Sequence, residues 1–477
     1  TGVLDTPRYV DQGDVTRQLF DNVDLAGEVQ TKILEINSKT GLYPLYVTYS
    51  LFRRRLDEYI KAECIDKETV SVQEEQVVWD DIVQNNMYVI CNTPMAVGIT
   101  RRTLFGFRQV DQKANIKNVQ LIERASKDQE QLVKELKSVG FWKGNSSKQE
   151  MKFNAVVGNP PYQISDGGAG VSAKPIYNLF VDLARAIKPN SISMIMPAKW
   201  YTDGKGLGSF RESMLNDKHI SKLFDFTDSR DCFDNVDIAG GVCYFLWEQS
   251  KNGLCEFVSR HKGAYVSAMR DLASEDTFIR HMEAIDIVNK VKEISHSFYN
   301  GRVSTQKPFG LRTYIKPLEH GDLILKYNKG RGPFDSSLIE IGNDMISKWK
   351  ITISCLTAEH AGQTDKEGRK KILSSLDMLV PNEICTETYL VVDAFDSEYE
   401  AISLQSYLKT RFVRFLISLL ASTQHLSKDK FAYVPLQDFT SHSDIDWSQN
   451  IPDIDRQLYA KYDLSPNETD FIETVIK

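Results

Sequence analysis

The sequence predicts an α/β chain: a Rossmann-like, doubly wound sheet over residues 1–290, a mixed α+β region at 295–400 and a helical segment at 401–477. Three observations carry this. Between residues 30 and 250, short apolar runs alternate with amphipathic stretches, the pattern of a parallel sheet covered on both faces. After residue 295 the alternation gives way to short β-like pieces, turns and charges. From residue 404 an apolar stripe at helical spacing takes over. At 477 residues the chain is too long for one ordinary core, so more than one domain is expected.

In order along the chain, KILEI (32–36), MYVIC (87–91), FNAVVG (153–158), SISMIMP (191–197) and VCYFLWE (242–248) read as buried strands bounded by turn residues. Between them, Asn118 to Val139 reads as one helix. Ile176 to Ile187 reads as another, with Ile176, Phe180, Leu183, Ala184 and Ile187 on one face. In the last segment Leu404, Tyr407, Leu408, Phe412, Phe415, Leu416 and Leu419 share one stripe, and Arg411 and Arg414 lie off it.

Composition narrows the function classes. Seven cysteines without a Cys-x-x-Cys pair, and eight scattered histidines, predict neither a disulfide framework nor a structural metal. A reducing, cytoplasmic setting is expected. No run approaches the roughly 18 apolar residues of a membrane span, so no membrane partner is expected. The net charge is −7, yet residues 301–380 hold 13 Lys+Arg against nine Asp+Glu. A basic segment on an acidic body suits a module that meets nucleic acid, and equally suits ordinary fluctuation. The first residue is Thr1 rather than Met, which predicts a fragment or processed piece of a longer chain, with an upstream domain missing.

The decisive residues are Asn159-Pro160-Pro161-Tyr162, directly after the run FNAVVG. Ligands of open α/β sheets bind at the carboxyl ends of strands, and this tetrapeptide leaves such an end. An exocyclic amino nitrogen on a base is a poor nucleophile, because its lone pair is delocalised into the ring. Two acceptors aimed at its hydrogens localise that pair: the Asn159 side-chain oxygen and the Pro160 carbonyl. Two prolines stiffen the corner. Tyr162 offers a flat face to a base taken out of its stack. Methyl transfer to such a nitrogen needs positioning more than acid-base power.

With these residues the sequence resembles the gamma group of amino-methyltransferases, found in restriction-modification enzymes of the type IIG and type I-like classes. The resemblance implies a Rossmann-like methyltransferase domain, a target-recognition domain at 295–400 and a bracing helical segment. It implies S-adenosylmethionine as cofactor and double-stranded DNA as partner, with methylation of N6 of a flipped adenine. Thr6 and Pro7 look like the group's N-terminal cofactor motif. KILEINSKTGLY (32–43) looks like its strand-acid-loop motif. There Glu35 would meet the cofactor's ammonium group, and Asn37, Ser38, Thr40 and Gly41 would form the tight turn beneath it. Cys91 stands where the group carries the acid that binds the ribose; either Asn92 substitutes for it or cofactor affinity is weak. The group's usual glycine-rich loop keeps one glycine here. Phe233 would pack edge-on against the flipped base, and the glycine-rich stretch 165–174 would close over it. In the reader, Arg302, Lys307, Arg312, Lys326, Lys329 and Arg331 would meet DNA, beside Lys316, Tyr314 and Tyr327. No metal ligand is implied, and no acid for the cofactor's adenine is placed between 108 and 150.

Other readings are open at this level. No proline precedes a cysteine, which disposes of a cytosine C5 enzyme. A cytosine N4 enzyme uses the same amino-group logic. A catalytically weak or inactive methylase fold, serving as recognition module for a nuclease, fits the altered cofactor motifs. An RNA or protein amide methyltransferase is a third class, although a separate C-terminal reader argues against it.

Overall fold

The computed structural model describes residues 31–477 except 64–68, 109–113, 165–173, 202–205, 234–237, 239, 262–263, 274–277, 359–364, 366–368 and 422–424. The chain divides into two compact units. The first comprises residues up to 276 apart from 237–240 and 261–264, and the second comprises those two short pieces and residues 277–477.

The first unit is built on nine strands: β1 (Ile33–Ser38), β2 (Met87–Cys91), β3 (Asn115–Asn118), β4 (Ala155–Gly158), β5 (Ser191–Pro197), β6 (Ile220–Phe226), β7 (Val242–Glu248), β8 (Cys255–His261) and β9 (Ala264–Arg270). Their order across the sheet is β9-β8-β6-β7-β5-β4-β1-β2-β3. Neighbours from β3 to β5 are parallel, and β7 runs antiparallel to both β5 and β6. All six residues of β1, all five of β2 and all four of β4 are buried, which is why they read as continuous apolar runs. The order 3-2-1-4-5 reverses direction between β1 and β4, so the ligand crevice of a doubly wound sheet lies at their carboxyl ends.

Helices α1 (Leu42–Glu63), α2 (Val72–Asn85), α3 (Pro94–Phe105), α4 (Leu121–Leu136), α5 (Val139–Lys143), α6 (Tyr177–Ile187) and α7 (Gly208–Leu215) connect the strands. Local chemistry sets their ends. Ser71 and Glu74 form a capping box at α2, and the Thr93 side chain caps α3 with Pro94 in its first turn. α6 buries Phe180, Leu183, Ala184 and Ile187 together, as its period requires. The helix expected over Asn118–Val139 is shorter and broken. Asn118 belongs to β3, and Asp128 takes non-helical angles inside α4 while its carboxylate accepts the Gln131 N–H at 2.9 Å. An Asp that can cap a new turn competes with the helix that contains it.

The second unit contains two three-stranded sheets. One joins the hairpin β10 (Leu323–Tyr327) and β11 (Gly330–Phe334) to β14 (Glu383–Cys385), and the other holds β12 (Trp349–Ser354) between β13 (Leu376–Leu379) and β15 (Tyr389–Phe395). Helices α8 (Met282–Ile294), α9 (Glu398–Lys409), α10 (Arg411–Leu420), α11 (Ile451–Lys461) and α12 (Pro466–Val475) complete it. One core holds Val288 of α8, Ile351 and Leu390 of the sheet, and Leu404, Phe412, Phe415, Leu416, Leu458 and Ile472 of the helices. The regions 295–400 and 401–477 therefore share their interior. The stripe at 404–419 belongs to two helices rather than one. Thr410 is extended (φ −61°, ψ 150°), and its hydroxyl accepts the Val413 N–H at 3.2 Å. The buried Asp455 carboxylate accepts the Arg411 and Phe412 N–H groups at 3.0 Å each, capping α10 from α11. Arg411 pairs with Glu473, so that cation is used within the unit.

Candidate active site at the carboxyl ends of β1 and β4

Two loops leave adjacent parallel strands side by side. β1 delivers Ser38-Lys39-Thr40-Gly41, and β4 delivers Asn159-Pro160-Pro161-Tyr162, with Glu35 level with Val157 in the ladder. Gly158 is demanded by this proximity: a Cβ there would lie 2.7 Å from the Ile36 carbonyl oxygen. The Asn159 side chain is exposed, whereas Pro160 is buried. Among the described residues neither the Asn159 side chain nor the Pro160 carbonyl has a hydrogen-bond partner, so both acceptors are at the disposal of a ligand.

Tyr162 is anchored rather than free. Its carbonyl accepts the Ile176 N–H at 3.2 Å, and its buried hydroxyl has no partner among the described residues. Burial, then the neighbouring Cys232 and Cys243 thiols, raise that hydroxyl well above the ordinary tyrosine value. Cys232 precedes Phe233, so the structure brings the Phe233 segment to the same end as the tetrapeptide. Phe233 is half-buried, its N–H donating to the Ser229 carbonyl at 2.8 Å in the loop that follows β6. The feet of the glycine-rich loop, Gln163–Ile164 and Lys174–Pro175, pair antiparallel, while residues 165–173 lie outside the described residues.

The β1 loop is held on both sides. Glu35 is 2% exposed. Its carboxylate accepts the Ser38 N–H, and among the described residues its Oε2 has no partner. Burial raises Glu35 well above the usual carboxylate range, the bond from Ser38 opposing it. A buried carboxylate oxygen without a donor fits the ammonium group that the sequence reading assigns to it. The Ser38 hydroxyl lies 2.9 Å from that of Thr100, and Thr103 donates to the Thr40 carbonyl at 2.6 Å. Gly41 takes a φ of +78°, and a Cβ there would stand 2.8 Å from Thr100 Cα. The glycine is therefore required by the approach of α3 and by its own backbone angle. Asn37 adopts φ +88° and donates from Nδ2 to the Asn159 carbonyl at 3.0 Å. Thr100 and Thr103 escaped the sequence reading, although their spacing of three places them on one helical face.

At the ribose position, Cys91 is fully buried at the end of β2, 3.6 Å from the Thr100 hydroxyl. Burial pushes its thiol up to about 11, so it stays neutral and offers no strong acceptor. Asn92 is exposed beside it, its carbonyl accepting Gln120 Nε2 at 2.7 Å. The β1 turn carries groups suited to the methionine end of such a cofactor, and among the described residues the end of β2 carries no carboxylate for its ribose. Thr6 and Pro7 lie outside the described residues.

In the second unit most of the expected DNA-contacting cations meet carboxylates of their own chain. Arg302 grips Asp393 with two bonds of 2.9 and 3.0 Å. Arg312 lies 3.6 Å from Glu387. Lys326 is buried over the Tyr389 ring and pairs with Asp377 at 2.9 Å. Arg331 reaches Asp377 at 2.7 Å and Glu383 at 3.4 Å. Lys329 is exposed at the β10–β11 turn, Lys316 and Tyr314 are exposed before β10, and Lys307 is half-buried. The most enclosed cation, Lys350, was not singled out. Its ammonium donates to the carbonyls of Met345, Ile346 and Lys348 at 3.0, 3.0 and 2.6 Å.

Comparison with known proteins agrees with this geometry. Residues 85–233 match the family described as Eco57I restriction-modification methylase. Residues 26–67 also match a family described as RNA binding activity-knot of a chromodomain, but 33–38 and 42–63 are β1 and α1 of the large sheet. An uncharacterized adenine-specific methylase of Mycoplasma pneumoniae is 33% identical over 163 residues, spanning 31% of this chain and 38% of the relative. The chain thus matches well under half of that relative's length. The type IIL restriction-modification enzyme MmeI, solved in complex with DNA, superposes over 88% of this chain and 63% of its own, with a TM-score of 0.51 and 9% identity. The type IIG restriction endonuclease BpuSI covers 93% and 62% with a TM-score of 0.38 and 12% identity. No helix among the described residues is long and apolar enough to cross a membrane. Residues 85–233 are thus similar to a restriction-modification methylase domain, and part of the chain is similar to an adenine-specific methylase.

Proposed function

We propose that this chain transfers a methyl group from S-adenosylmethionine to N6 of an adenine flipped out of double-stranded DNA, as the modification part of a restriction-modification system. The observation that carries the reading is the exposed, partnerless Asn159 side chain at the switch point of the sheet, one strand away from the half-satisfied Glu35. When bound, S-adenosylmethionine supplies an electrophilic methyl group. Glu35 and the 38–41 turn hold its methionine end at β1. Asn159 Oδ1 and the Pro160 carbonyl accept the two amino hydrogens of the base and localise its lone pair. Tyr162 stacks on a face of the base, anchored by the Ile176 N–H on its carbonyl, and Phe233 packs edge-on against the base. DNA is held by the second unit, and a nuclease or translocase elsewhere in the full protein would complete the system.

The test is nucleoside mass spectrometry on DNA from cells producing the protein, with Asn159→Ala as control. N6-methyladenine present with the wild type and missing with the variant is the expected result. N4-methylcytosine would redirect the base assignment. No S-adenosylmethionine binding by calorimetry, together with no modified base, would establish a recognition module instead, the reading that the missing ribose acid favours.

A further inference from the structure

The side chain of Asn37 points away from a role as a simple cofactor ligand. It is 8% exposed, sits in the left-handed region at φ +88°, and donates to the backbone carbonyl of Asn159 at 3.0 Å. A left-handed, buried, non-glycine residue is costly unless its side chain is needed. Here it forms the hydrogen bond between the two loops. The same turn is tied to α3 through Ser38–Thr100 and Thr40–Thr103, so it cannot shift without pulling on both neighbours. At Gly158 the two strands already stand too close for a methyl group.

We propose that Asn37 is a positioning residue that passes the state of the 35–41 turn to the Asn159-Pro160 corner, so that cofactor binding sets the base-capture geometry before a base enters. The inference rests on the assignment of the two loops under the proposed function. Glu35 Oε2 is the input: a cation bound there stiffens the turn through the Ser38 N–H. The Asn37 amide is the coupling, because it holds the peptide whose next carbonyl, that of Pro160, faces the amino group. Methyl transfer depends on that carbonyl's placement, and misplacement by about 1 Å costs about 100-fold in rate.

The experiment is hydrogen exchange on the whole chain, read on the peptide spanning 153–164, with and without S-adenosylhomocysteine, alongside calorimetric binding of the same compound. Two variants are compared with the wild type. Asn37→Gly keeps the left-handed backbone and removes the donor, and Asn37→Asp keeps the shape and replaces the donor with an acceptor. In the wild type, binding slows exchange in this peptide by about 10-fold, the scale of ordinary coupling between sites. Both variants bind S-adenosylhomocysteine within about 3-fold of the wild type but lose the slowing, since the loss lies in transmission rather than affinity. Turnover of Asn37→Asp falls by about 10- to 100-fold with little change in KM for the methyl donor. Variants that keep the slowing overturn the proposal, as does a wild type that binds the compound without any slowing. A wild type that binds no S-adenosylhomocysteine sinks the cofactor assignment itself, and the coupling with it.

Discussion

The carboxyl edge of β1 and β4 and the cation-rich face of the second unit treat polar groups in opposite ways. At the first, the Asn159 side chain, Glu35 Oε2 and the Tyr162 hydroxyl have no partners among the described residues, two of them being buried. At the second, Arg302, Arg312, Lys326 and Arg331 each meet a carboxylate of the same unit, and Lys350 is ringed by carbonyls. Buried polar groups are ordinarily satisfied, so unsatisfied ones mark where the protein spends stability on a ligand. Dense charge in a sequence marks, as often, where the chain ties itself together. Density of charge drew attention to 301–380. Unmet bonds at Glu35 and Tyr162 are what the proposed assignment of the chemistry to 35–41 and 159–162 rests on.

Substitutions can break this contrast, the largest effect first. Asn159→Ala lowers turnover by about 10²- to 10³-fold or more, the scale for removing one aimed polar group. Filter binding shows DNA affinity nearly unchanged, and a matching loss of affinity would move Asn159 into DNA holding. Lys350→Met destabilises the second unit by about 3–5 kcal/mol in urea melts, because the carbonyls of Met345, Ile346 and Lys348 lose their donor. Burial lowers Lys350 to about 8. The unfolded chain therefore binds the proton more tightly, and this group's contribution to stability rises from about pH 8 toward the ordinary lysine value. A melt without that rise at Lys350 would show the ammonium to be less enclosed.

Tyr162→Ala weakens capture of the extruded base by about 1–3 kcal/mol, measured against a duplex with a mismatched target. Glu35→Gln weakens S-adenosylmethionine by about 1–2 kcal/mol while raising the melting temperature of the free protein, since it removes a desolvated carboxylate. Burial raises the Glu35 pKa, so affinity for a cationic ligand climbs as pH rises through that raised value. Calorimetry across pH should show that climb in the wild type and a flat profile in the variant. Lys329→Ala, at the exposed hairpin turn, is the smallest change: it reduces the slope of log affinity against log salt by about 1 and leaves stability alone. Arg302→Ala should do the reverse, lowering the melting temperature while barely touching the slope.

The parts of this architecture legible in the sequence were those where one physical requirement dominates. β2, β5 and β7 stand where their apolar runs end, β2 buried at all five positions and β5 and β7 at most of theirs. The Asn159-Pro160-Pro161-Tyr162 corner was legible because its chemistry is written in four consecutive residues. Competition hid the rest. Asp128 and Thr410 interrupt apolar periodicities that continue across them, and hydrogen-bonding side chains decided against the period. α1, α2 and α3 went unassigned, α1 with a proline in its first turn and α2 with a weak stripe that buries only Ile82 and Val83. Asn37 looked like one polar residue in a loop, because its partner is a backbone carbonyl 122 positions away. The carboxylates facing Arg302 and Lys326 are similarly distant, so charge counting could not foresee neutralisation.

The bare α-carbon of Gly158 has an implication for how such an enzyme can diversify. With a methyl group excluded from the space against Ile36, the separation between donor and acceptor loops is a property of two peptide backbones. Side-chain variation around the crevice can then alter grip and rate, but it cannot widen the span. On the proposed function, new sequence preferences would be drawn from the second unit, and the reach of the transfer would be inherited intact.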